Sequence, residues 1–236
     1  MKKLAVMIGL TSLLAGCDNA SGPLSFTPEM ASFSNEFDFD PLRGPVKDFT
    51  QTLFNEKGEV SKRVTGSLSQ EGCFDTLELH DLDANTGVAL VLDANFYVDA
   101  ETQQQKIKLQ GKCQLAELPS AGVTWDTDDN GFIVTAHGKA MEVKYRYDAD
   151  GYPLGKTTVS GDQHLSVSAT PSKDKRKKLD YSAISLLNDK PLGTVKQSCD
   201  YDRHDNPVSC ELQMTDDSVK PAVEHKYTIK NSIEYY

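Results

Sequence analysis

Apolar and polar residues alternate at every second position through much of the chain. Val60–Leu68, Lys106–Leu109, Met141–Tyr147 and His164–Ser168 each change character residue by residue. That is the two-residue period of a strand with one buried face. Val88–Val98 is more continuously apolar and reads as one central strand. Helical periodicity is scarce, and Gly, Asn and Asp clusters separate the runs about every 8–14 residues, as in antiparallel all-β proteins. The pattern predicts an antiparallel hairpin or meander sheet, curled or sandwich-like. Phe26–Asp40 is aromatic and irregular, and reads as an extended arm packed across that sheet.

A short pattern recurs in the turns. Phe54-Asn55-Glu56-Lys57-Gly58 and Tyr147-Asp148-Ala149-Asp150-Gly151 both read aromatic–Asp/Asn–x–x–Gly. Tyr201-Asp202 repeats it with Asp205 in the place of the Gly, and Trp125-Asp126 through Gly131 is a version with a longer turn. Asp and Asn side chains bond their own backbone in tight turns, and Gly accepts positive φ. These units resemble the YD turns of RHS-type β-repeat proteins, which implies hairpins and little about function.

The amino terminus follows a different rule. Met1-Lys2-Lys3 precedes an apolar run from Leu4 to Leu14, much shorter than the roughly 20 residues of a spanning helix. It ends in Leu14-Ala15-Gly16-Cys17, which resembles the lipobox of bacterial lipoproteins. The resemblance implies cleavage after Gly16, S-diacylglycerol on Cys17 and an N-palmitoyl group on its new amino terminus. Asp18 resembles the inner-membrane retention signal of enterobacterial lipoproteins, so the expected location is the periplasmic face of the inner membrane. Residues 1–16 are then a signal peptide, 17–34 a flexible tether and 35–236 a single β domain.

Charge sharpens this picture. The chain carries 35 acidic and 25 basic residues, a formal charge of −10. Loss of residues 1–16 removes Lys2 and Lys3 and no acid, which makes it −12. So acidic a surface argues against a general nucleic-acid partner, and a body of this charge stands off anionic lipid. The expected partner is the bilayer, through Cys17, with an envelope protein as a second.

With Cys17 assigned to lipid, Cys73, Cys113, Cys199 and Cys210 remain, an even set that reads as two disulfides in an exported protein. If Tyr201 faces Val208 across a turn, Cys199 faces Cys210 at the spacing a disulfide needs. Cys73 then pairs with Cys113 by elimination.

Chemical constellations are sparse. Asp126-x-Asp128-x-Asn130-Gly131 matches half of a calcium loop, but His137 stands where a bidentate Glu is required. Asp81-x-Asp83-x-Asn85-x-Gly87 is a second acidic turn of the same kind. The plain hairpin turn is the preferred reading of both. His80, His137, His164, His204 and His225 lack metal-ligand spacing, and Ser172-x-x-Lys175 lies in a charged loop, Lys173–Lys178, that reads as solvated. No metal or cofactor is expected.

Leu24–Leu53, Leu109–Val123 and Lys220–Tyr236 resemble the YnfC-like family of uncharacterised enterobacterial lipoproteins. The resemblance implies a membrane-anchored envelope lipoprotein and transfers no catalytic residue. The expected role is a non-enzymatic binding or structural module. The alternative is an enzyme or accessory subunit acting on envelope polymers through paired carboxylates, drawn from Asp38, Asp40, Asp126 and Asp128.

Overall fold

A computed structural model describes residues 24–236; Cys17 and Asp18 lie outside them. One helix, α1 (Pro28–Phe37), precedes sixteen strands. These are β1 (Val46–Phe54), β2 (Val60–Leu68), β3 (Phe74–Asp81), β4 (Thr86–Asp93), β5 (Phe96–Asp99), β6 (Gln105–Gln110), β7 (Gln114–Leu118) and β8 (Val123–Thr127). The chain continues through β9 (Ile133–Gly138), β10 (Met141–Tyr147), β11 (Pro153–Ser160), β12 (Gln163–Pro171), β13 (Tyr181–Leu187), β14 (Lys190–Tyr201), β15 (Pro207–Asp216) and β16 (Val223–Tyr235). Each pairs antiparallel with its predecessor, and β1 closes on β16 from Val46↔Tyr235 to Phe54↔Thr228. The all-β antiparallel expectation holds, but the sheet is a closed barrel rather than a curled sheet or a sandwich. Closure leaves no edge strand for another chain to pair with. The continuous run Val88–Val98 is two strands, because Ala94 takes φ 51° and turns β4 into β5.

Alternation sorts residues between lumen and exterior. Along β16, Ile233 and Tyr235 join the core while Lys230, Ser232 and Glu234 are exposed. Along β10, Val143 and Tyr145 are buried between the exposed Lys144 and Arg146. The exterior therefore carries charge at mid-strand, where a membrane-spanning barrel carries an apolar band. Exposed Ile184 and Val159 are isolated among polar neighbours. Among the described residues no helix is long and apolar enough to cross a membrane.

Sixteen strands enclose more space than their own inward side chains can fill, and the chain fills it with its amino-terminal segment. Thr27 caps α1 by accepting from the Met30 amide at 3.2 Å, Pro28 opens the first turn and Glu29 sits at the positive end of the helix dipole. Every residue from Glu29 to Asn35 is buried. Phe33 stacks on Phe74 of β3 at 4.7 Å and meets Tyr97 of β5 edge-on at 5.7 Å. From the other side the Ile133 amide of β9 donates to Ser32 Oγ at 3.0 Å. α1 thus runs inside the barrel. The extended-arm expectation for Phe26–Asp40 gives way to a buried helix over 28–37, which takes in residues 28–34 of the expected tether; residues 17–23 lie outside the described residues. A helix enclosed on all sides has no polar stripe, so its periodicity is lost.

Cys73–Cys113 joins the β2–β3 and β6–β7 turns with Cα atoms 5.8 Å apart, and Cys199–Cys210 joins directly opposed residues of β14 and β15 at 4.0 Å. In the chain-entropy account, loops of 40 and 11 residues contribute about 4 and about 3 kcal/mol. The register matches the sequence reading up to Asp200↔Ser209. A bulge then sets Tyr201 opposite Pro207 and turns Val208 outward.

Candidate functional site

The two ends of the barrel differ. At one rim, three hairpin turns share one hydrogen-bond scheme. Asp128 Oδ1 accepts from the Asn130 and Phe132 amides, Asp148 Oδ1 from Asp150 and Tyr152, and Asp202 Oδ1 from His204 and Asn206, all at 2.8–3.0 Å. Asn55 does the same at the opposite end, toward Lys57 and Glu59. The recurring motif is therefore one turn in four copies. In the β8–β9 copy the turn carboxylate is Asp128, not Asp126, which restores the common length.

This rim is sealed by the segment that leads into and out of α1. The Phe26 amide donates to the Asp150 carbonyl at 2.9 Å, and the Arg43 guanidinium lies 4.4 Å over the Phe26 ring. Fully buried Asn206 accepts from the Arg43 amide at 2.7 Å and donates to its carbonyl at 2.9 Å and to Tyr235 Oη at 2.8 Å. Lys178, read from sequence as part of a solvated loop, is mostly buried here and pairs with Asp148 at 2.5 Å and Asp150 at 3.2 Å. Those acids hold its ammonium above the usual lysine range against the opposing effect of burial, the largest influence on it.

The helix ends deeper in the lumen, where two inward lysines take up its terminal carbonyls. Lys62 of β2 donates to Asp38 O at 2.9 Å; Lys156 of β11 donates to Asn35 O at 2.8 Å and pairs with Asp38 Oδ1 at 3.0 Å. Cations at a helix carboxyl end satisfy orphan carbonyls and complement the dipole.

Between this end of α1 and the wall of β12–β16 lies a cavity of about 320 Å³. Small or aliphatic side chains face it: Val167 and Ala169 of β12, Ala183 of β13, Val195 of β14, Leu212 of β15 and Ile229 of β16. Exposed Asp38 stands at its edge, so it opens to solvent at the carboxyl end of the helix. A second carboxyl, Asp40, lines it and is partly buried. Gln51 clamps the Asp40 backbone, accepting from its amide at 3.0 Å and donating to its carbonyl at 2.6 Å. Gln197 Nε2 donates to Asp40 Oδ2 at 3.0 Å. Burial pushes the Asp40 pKa up to about 6, only partly countered by the Gln197 bond. Burial also drives the Tyr181 and Tyr152 phenols up, and the nearby Asp40 charge adds to both.

Of the four carboxylates considered for catalysis, two come together: Asp38 and Asp40 line the cavity, whereas Asp126 is an exposed partner of His137 Nε2 at 3.0 Å and Asp128 is spent on its turn. Asp81 Oδ1 accepts from its own turn at Ala84, and Ser172 and Lys175 are drawn apart, to the Asp174 amide and the Asp150 carboxylate. No group of three His, Cys, Asp or Glu residues able to hold a metal occurs among the described residues. Sequence reading placed no weight on Gln51 or Gln197. Two glutamines facing a lumen leave no local signature; Thr27-Pro28-Glu29 does carry the signal of a helix start, which the reading of Phe26–Asp40 as an extended arm passed over.

A family model described as "Uncharacterised protein family (UPF0257)" matches residues 1–236. The chain belongs to this family. It is 68% identical over 236 residues, all of both chains, to the UPF0257 lipoproteins YnfC of Salmonella dublin and of Salmonella typhimurium. These relatives are named lipoproteins, and this chain is likewise a membrane-anchored lipoprotein. Among solved structures, a porin-like protein from Bacteroides uniformis aligns with a TM-score of 0.43 and 10% identity, covering 80% of this chain and 96% of that one.

Proposed function

We propose that this lipoprotein is a non-enzymatic binding module at the periplasmic face of the inner membrane, and that its lumen takes a small, largely apolar ligand. The observation that carries the reading is the cavity beside α1: the chain packs its own helix into one half of the barrel and lines the other half with valine and alanine. A volume of about 320 Å³ lies within the range of small-molecule sites, which are concave, mostly apolar and fitted with a few placed polar groups. The polar exterior leaves the acyl chains on Cys17 to do the anchoring, and three chains exceed the two that stable attachment needs.

Native mass spectrometry of the acylated protein extracted from membranes should show a bound small molecule that Ala183→Phe removes. A wild-type protein that carries no added mass under any growth condition overturns the reading. Replacing Cys17 by Ser should free the chain from the membrane fraction. Replacing Asp18 by Ser should move it to the outer membrane, and an unchanged distribution removes the inner-membrane assignment.

A further inference from the structure

The cavity holds a carboxylate without a counter-ion. Asp40 makes no ion pair among the described residues; its side chain is bonded only by the neutral amide of Gln197. Lys62, which lines the cavity, is committed to the Asp38 and Phe37 carbonyls, and Lys156, outside the lining, to the Asn35 carbonyl and the Asp38 carboxylate. Apart from Asp38, which is paired with Lys156, the remaining polar groups of the lining are neutral: Ser34, Asn35, Gln51, Tyr152, Tyr181 and Gln197. A partly buried carboxylate that faces an apolar cavity without a counter-ion is suited to a cationic donor.

We infer that the ligand of this cavity is an amine-bearing amphiphile, its ammonium held by Asp40 and its apolar part laid along Val167, Ala183, Val195 and Leu212. This rests on the binding role proposed above and adds the chemical class. An ammonium offers three donors and no acceptor, which suits an unpaired carboxylate. The apolar wall accounts for the rest of the molecule and excludes short polar amines.

Three probes of one length separate the possibilities: n-hexylamine, n-hexanol and hexanoate, titrated calorimetrically into the acylated protein in lipid nanodiscs, with empty nanodiscs subtracted. At pH 7.5 the amine should bind about tenfold or more tightly than the alcohol, the gain expected of one charge-assisted hydrogen bond, and hexanoate should bind worst. Asp40→Asn should abolish the preference for the amine while retaining the alcohol. In the wild type, lowering the pH from 7.5 to 5 should erode the amine's advantage, since the amine stays charged throughout and Asp40 takes up a proton. That arm needs no variant to fold. Equal affinity for amine and alcohol, or a preference for hexanoate, overturns the amine assignment and leaves the binding module standing. Absence of binding by all three, with Ala183→Phe making no difference, overturns both.

Discussion

The two halves of the lumen are built from different residues. On the side of β3, β5 and β9 the core is large and dense: Phe33, Phe74, Tyr97, Leu77 and Ile133 are at most 1% exposed, and Phe74 touches the rings of Phe33, Phe39 and Phe49. On the side of β12–β16 the inward positions are mostly Val, Ala, Leu and Ile, with Tyr181 and Gln197 among them, and a cavity stays open. Both halves obey the same alternation, and they differ chiefly in side-chain volume, with polar groups added on the hollow side. A barrel this wide can be solid on one side and hollow on the other, and the choice of side-chain size decides which.

Breaking the dense half should have the largest effect. Phe74→Ala leaves a void that its aromatic neighbours cannot close and should destabilise by about 3–5 kcal/mol, read as a lower urea midpoint with unchanged slope. An effect below about 1 kcal/mol would mean that this half is loosely packed too.

The hollow half should respond in the opposite sense. Asp40 keeps its proton to about pH 6 when folded, against 3.8 when free. The folded state therefore holds a proton that the unfolded chain has released, and stability falls as pH rises between those values. Asp40→Asn should be more stable than wild type at pH 8 by up to about 3 kcal/mol, and nearly equal to it below pH 4. Urea titrations at the two pH values check this; an equal difference at both removes the buried carboxyl as its source. The smallest change is expected for Ala183→Leu, which adds volume where space exists. It should shift stability by less than about 1.5 kcal/mol, whereas the same enlargement at Ala136, 1% exposed in the dense half, should cost more.

The hydrophobic alternation made the strands legible. β2 and β10 span the very residues whose pattern predicts them, Val60–Leu68 and Met141–Tyr147. The repeated turn was legible too, because one Asp or Asn side chain organises each copy. Closure was not, since the pairing of Val46 with Tyr235 joins residues from opposite ends of the chain and no local pattern encodes it. Nor was the cavity. Val167 and Ala183 would read the same in a filled core, and what leaves space beside them is the path of α1. Asp40 was visible only as one acid among many; its isolation comes from where Gln51 and Gln197 hold it.

Leu24 lies against Gly44, where an added Cβ would meet the leucine at 3.4 Å. The segment between them enters and leaves the barrel through the same rim, so the plug is a closed loop hung from its neck. Cys17 precedes Leu24 by seven residues, a span of at most about 25 Å. An acyl anchor at Cys17, as proposed above, would keep the sealed rim within that reach of the bilayer. Asp38, at the opening of the cavity, lies beyond the far end of the helix. Under the same proposal the mouth would belong to the part of the barrel farther from the anchor, and a ligand would enter it through water.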